Sequence, residues 1–73
     1  MTKEMIPIKT EYIRLDDLLK IGGAVGTGGH AKVVIQDGQV LLNGVVCEQR
    51  GKKLRAGDTV QYDNCLYEVC GEN

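Results

Sequence analysis

Asn43-Gly44 lies between two apolar runs, Val40-Leu41-Leu42 and Val45-Val46-Cys47. A two-residue hairpin turn needs positive φ at both central positions, which Asn and Gly tolerate best. The second half of the chain is therefore expected to fold as antiparallel strands. Asp63-Asn64 is a second tight-turn candidate, between Thr59-Val60-Gln61-Tyr62 and Cys65-Leu66-Tyr67-Glu68-Val69. Ala56-Gly57-Asp58 reads as a turn. Near the N-terminus Ile6 and Ile8 alternate around Pro7. Proline cannot donate to a central ladder, so this segment is expected to be a short edge strand.

Between these strand signals the period changes. Leu15, Leu18, Leu19 and Ile21 follow helical spacing, with Asp16 and Asp17 in the first turn and Lys20 near the end, each where the helix dipole favours its charge. Gly22-Gly23 stops this helix. Thr27 is the expected N-cap of a second helix that runs through Gln36. Ala31, Val34 and Ile35 form its apolar stripe, and Asp37-Gly38 ends it. Its β-branched residues are weak helix formers, so tertiary packing must hold it.

A chain of 73 residues has room for one domain, and residues 1–73 are read as one. At this size folding buries only about 60% of the surface of the unfolded chain. Phe and Trp are absent, so Ile, Val, Leu and Ala must build the core. No apolar run approaches the ~18 residues of a membrane span, and the first residues do not read as a signal peptide. A cytoplasmic location is the expectation. Cys47, Cys65 and Cys70 are an odd number without Cys-x-x-Cys spacing, and His30 is the only histidine. They do not read as a disulfide framework or a zinc site, and are expected to be small buried hydrophobes in strands.

The charge distribution is more informative than its total of −1. Residues 1–19 carry net −1 and residues 56–73 carry −4, whereas residues 20–55 carry +4. Phosphate responds to the local field of a patch rather than to the molecular sum. Arg50, Lys52, Lys53 and Arg55 place four cations within six residues. They are expected on a loop or short irregular strand beside the first hairpin, with Lys53 and Arg55 on one face and Leu54 turned inward. Lys20 belongs to the same basic segment and Lys32 extends it. Gly28 and Gly29 leave the N–H groups at the start of the second helix unshielded, and a phosphate can bind there. With no aromatic interleaved among the cations, stacking on single-stranded bases is not expected to dominate. The pattern suits folded RNA read by shape and phosphate contacts.

Catalysis has little support. His30 has no Cys, Ser or carboxylate near it in sequence that would make an activated nucleophile. Asp16 and Asp17 are adjacent on a helix and point apart. The glycines fit neither phosphate-loop fingerprint. No cofactor, metal, membrane or small-molecule substrate is called for.

Several stretches, in order, resemble the S4 RNA-binding domain. Arg14-Leu15-Asp16-Asp17-Leu18-Leu19-Lys20 is similar to its Arg-Leu-Asp-x-Leu-Leu opening, and Gly29-His30-Ala31-Lys32 to its second-helix start. Ile35-x-x-Gly38-x-Val40-x-Leu42-Asn43-Gly44 resembles its Val-x-Val-Asn-Gly stretch, and Lys53-Leu54-x-x-Gly57-Asp58-x-Val60 its closing element. The likeness runs from about residue 12 to residue 60, and is greatest to small stand-alone bacterial S4-domain proteins, some linked to the ribosome. It implies an α+β, S4-like (αL) fold, with two short helices packed on a small, mostly antiparallel sheet. It also implies a non-catalytic module that binds RNA through the helices' outer surface and the basic loop. The implied partner is structured ribosomal RNA or a ribosome-assembly intermediate, with the ribosome itself a candidate. The candidate RNA contacts are Arg14, Lys20, Gly28, Gly29, His30, Lys32, Arg50, Lys52, Lys53 and Arg55. A protein-interaction adaptor, docking the same basic face on an acidic partner, is the alternative.

Overall fold

The computed structural model describes residues 1–71. Seven strands and two helices follow one another: β1 (Thr2–Ile8), β2 (Ile13–Arg14), α1 (Leu15–Ile21), α2 (Gly28–Gln36), β3 (Leu41–Leu42), β4 (Val45–Val46), β5 (Lys53–Leu54), β6 (Thr59–Tyr62) and β7 (Cys65–Gly71). Five strands make a sheet in the order β1-β7-β6-β3-β4, while β2 and β5 form a separate two-stranded ladder.

Both expected hairpins form. Asn43 and Gly44 have φ of 50° and 85°, and Asp63 and Asn64 have 48° and 64°. The four residues join antiparallel neighbours, β3 to β4 and β6 to β7. Asn43 does more than turn the chain. Its Oδ1 accepts from the Thr59 N–H at 2.9 Å, and its Nδ2 donates to Asp58 Oδ1 at 3.1 Å. The first hairpin is thus tied to the turn that opens β6.

The N-terminal segment is longer than a short edge strand. β1 spans seven residues and pairs in parallel with β7, Ile6 opposite Val69. It does lie at the sheet edge, where Pro7 forfeits no central ladder bond. Parallel pairing needs a crossover connection, and here everything between β1 and β7 serves as one.

The helices match the sequence pattern. Thr27 Oγ1 caps α2 by accepting from the His30 N–H at 3.1 Å, and Ala31, Val34 and Ile35 are buried. Gly38 follows α2 with φ +77°. The two glycines after α1 have different duties. Gly23 takes the left-handed turn, at φ +77°. Gly22 is needed for closeness, because a Cβ there would stand 2.7 Å from the Tyr67 ring.

Leu15, Leu18 and Leu19 from α1 meet the α2 stripe, Ile13 and Leu54 from the small ladder, and Ile6, Ile8, Val60, Tyr67 and Val69 from the sheet in one core cluster. Among the described residues no polar side chain is fully buried. One expectation about apolar residues is corrected. The three free cysteines are only half-buried, and Cys47 lies just beyond β4 rather than in a strand. Val45 and Val46 stay exposed, at 69% and 50%, because β4 is the outermost strand of the sheet.

Candidate nucleic-acid interface

The basic stretch does lie beside the first hairpin, since Lys52 shares a shallow recess with Leu42, Val45 and Val46. Its main attachment is elsewhere, and sequence reasoning did not foresee it. Lys53 and Leu54 form β5 and pair antiparallel with β2, Ile13 opposite Leu54 and Arg14 opposite Lys53. Burial explains the register. Ile13 and Leu54 face the core together, so Arg14 and Lys53 must both face solvent.

The preceding loop closes over the start of α1. The first N–H groups of a helix lack partners within it. Here the Leu15 N–H donates to the Lys52 carbonyl at 2.9 Å, and the Asp16 N–H to the Arg50 carbonyl at 3.0 Å. Loop carbonyls therefore do the capping, and Arg14, at the N-cap position, makes no side-chain cap. The Arg14 guanidinium lies over Gly51, with Nη2 3.6 Å from where a Cβ would stand. Arg14, Arg50, Lys52 and Lys53 are thereby gathered around one end of α1.

This gathering is electrostatically costly. Like charges directly opposite each other on paired strands are destabilising, and the N-terminus of a helix repels cations. Local partners offset part of the cost. Asp16 Oδ2 is 3.0 Å from Arg14 Nη2, and the Lys53 ammonium sits 4.8 Å from the centroid of the Tyr12 ring. The expectation that no aromatic stands among the cations is therefore corrected. Tyr12 is 39% exposed and belongs to the cluster. The signal was in the sequence: Tyr12 and Arg14 flank Ile13, and in an extended segment residues two apart share a face.

The remaining candidates fall into a second group and two outliers. Lys20, in the last turn of α1, pairs with Asp17 at 3.2 Å, and its Nζ lies 3.9 Å from the Cβ position of Gly28. It thus joins the end of α1 to the start of α2. There the His30 N–H is taken by Thr27, while Gly28 and Gly29 hold the first two helical positions, whose N–H groups have no intrahelical partner. The two groups are separated by the length of α1, about 10 Å at 1.5 Å per residue. His30 and Lys32 are exposed on α2, and Arg55 is exposed beyond β5, its N–H held by Asp58 Oδ2 at 2.8 Å. Lys32 lies in the middle of α2, away from its N-terminal turn, and Arg55 directly follows β5.

Among the described residues no three His, Cys, Asp or Glu side chains come together as a metal site requires. Nor, among them, is any helix long and apolar enough to cross a membrane.

Two helices on a mixed, mostly antiparallel sheet define an α+β fold shared with two solved structures. One is the solution structure of YbcJ from Escherichia coli, described as revealing an alfaL motif involved in RNA-binding. It matches with TM-score 0.68 and 33% identity, over 96% of this chain and 87% of that one. The other is the trimeric Heat Shock Protein 15 of Vibrio cholerae, with TM-score 0.66 and 24% identity, over 74% of this chain and 54% of that one. The chain belongs to the S4 domain family, whose profile matches residues 6–70. Its relatives include a probable ribosome maturation protein, RlbA of Bacillus subtilis, 38% identical over 58 residues, which are 80% of this chain and 82% of that protein. The Escherichia coli YbcJ sequence, named a putative RNA-binding protein, is 39% identical over 54 residues, 74% of this chain and 77% of its own length.

Proposed function

We propose that this chain is a non-catalytic RNA-binding module that contacts structured ribosomal RNA, or a ribosome-assembly intermediate, through the basic face around the start of α1. Arg14, Arg50, Lys52 and Lys53 are its centre. Lys20 and the first turn of α2, Gly28 to His30, form a second phosphate position along the helix, with Lys32 and Arg55 at the margins. The reading places the protein in the cytoplasm, where ribosomes are made.

The observation that carries it is the cross-strand pair of cations, Arg14 opposite Lys53, at the positive end of a helix. Folding gains nothing from that arrangement. A polyanion reverses its sign, since each phosphate that meets a cation there relieves repulsion and releases counterions. The names of the relatives, a ribosome maturation protein and an RNA-binding protein, agree with this reading.

The test is binding of purified protein to a structured ribosomal RNA fragment at low salt. The parent binds, and Lys52→Glu combined with Lys53→Glu removes binding while the circular dichroism spectrum stays that of the folded domain. A folded double variant that binds as well as the parent overturns the proposed face.

A further inference from the structure

An open groove of about 700 Å³ runs along α1, between that helix and the chain leaving β1. Ile8, Ile13 and Ile21 give it an apolar lining, Tyr12 stands in its wall, and its charged lining comprises Lys9, Arg14, Asp17 and Lys20. Ile21 is 65% exposed there although it sits on a core-packing helix. The volume is within the range of sites that hold small organic groups, about 300–1,000 Å³.

We infer that this groove receives one unpaired nucleobase of the bound RNA, and that it favours bases carrying an exocyclic amino group over uracil. The inference rests on the RNA-binding reading and deepens it. Three features of the site point to a base on a strand rather than to a free small molecule or a phosphate. Apolar lining with an aromatic wall suits the face of a base, which stacks on such side chains. Lys53 stands over the Tyr12 ring, which remains 39% exposed and lines the groove. The charge is arranged for an attached polyanion. Arg14 belongs both to the groove and to the cation pair outside it, so a base in the groove has its flanking phosphates beside Arg14 and Lys53.

Asp17 decides what enters. A carboxylate repels phosphate and accepts hydrogen bonds from amino groups such as cytosine N4. Its partner Lys20 approaches Oδ1 at 3.2 Å, and the carboxylate stays exposed to an incoming donor. Uracil offers no amino group and presents its O4 carbonyl where cytosine presents the N4 donor. Tethering to the strand makes entry effectively intramolecular, so an open groove suffices where a free nucleoside would bind weakly.

The experiment uses a short RNA hairpin, fully paired or with one internal unpaired nucleotide, cytosine or uracil, and follows binding to the full chain by fluorescence anisotropy. The parent binds the cytosine-bulged hairpin about tenfold more tightly than the paired one, and more tightly than the uracil-bulged one. Tyr12→Leu brings the bulged-to-paired ratio close to one. Asp17→Asn, which can both donate and accept, narrows the gap between cytosine and uracil. Equal affinity of the parent for bulged and paired hairpins overturns the inference but leaves the RNA-binding reading standing. A preference that survives Tyr12→Leu assigns it to another surface. No binding of any hairpin at low salt overturns both readings together.

Discussion

Tyr67 shows how one residue's chemistry is set by its neighbours. Its ring packs against Gly22 and is 5% exposed. Burial, a hydrogen bond with Cys65, and the nearby charges of Cys65, Glu4 and Asp63 push its pKa up to about 12 from the usual 10. The folded form thus disfavours the phenolate. Below pH 10 both folded and unfolded chains keep the proton and stability is complete. Above it the unfolded chain loses the proton first, so stability falls as pH rises towards 12. With about 1.4 kcal/mol per pKa unit, the loss across that window is on the order of 2 kcal/mol. Urea denaturation from pH 9 to 11.5 measures it. Tyr67→Phe lowers stability at pH 9 but has a flatter alkaline profile, and an equally steep profile in that variant shows that other groups carry the loss.

At the scale of elements, the two-residue ladder of β2 with β5 is where stability and function pull apart. Ile13 and Leu54 fasten it to the core, while Arg14 and Lys53 oppose each other on its outer side. Lys53→Glu replaces a like-charged pair with an opposite one and puts an anion near the positive end of α1. Each change is favourable by about 0.2–1 kcal/mol, against the loss of the contact with Tyr12, about 0.5–1 kcal/mol at an exposed site. The urea midpoint is expected to rise, by the equivalent of roughly 0.5 kcal/mol, while affinity for RNA falls. A lowered midpoint means that the pair is not a source of strain. The pairing itself was not legible in the sequence. Two residues are too few to show a period, and the partner segments lie about 40 residues apart. Tyr12 was within reach of sequence reasoning, because its alternation with Ile13 and Arg14 puts it on the cation face. The N-cap at Thr27 and the turns at Asn43-Gly44 and Asp63-Asn64 were fully legible, since local stereochemistry decides them.

For the whole molecule the relevant quantity is the placement of charge. A chain of net −1 gathers four cations at one end of α1 and keeps acids such as Glu68 elsewhere, where Lys3 meets it at 3.2 Å. Binding is expected to involve one face and about four to six phosphates, for a log–log salt slope of roughly −3 to −5. Affinity for the ribosomal RNA fragment then drops about 60- to 1,000-fold between roughly 50 and 200 mM salt. A titration with a slope close to zero contradicts a phosphate-led interface. Asp16 and Asp17 moderate this surface, since they stand beside Arg14 and Lys20 in the folded protein. The segment sums of the sequence could not reveal that pairing in space.

By itself the sequence determined the hairpin turns, the two helices with their buried stripes, the N-cap of α2, the inward turn of Leu54, and a family likeness that points to RNA. Each depends on residues a few positions apart, where sterics and hydrogen bonding act without help from the rest of the chain. Only the tertiary structure decided that β1 closes the sheet in parallel on β7, that the basic loop caps α1, that Lys53 rests on Tyr12, and that a groove opens beside them. The strand pairing and the loop contacts join segments from 34 to 63 residues apart. What selects them is the joint burial of Ile6 with Val69 and of Ile13 with Leu54, which no single segment encodes.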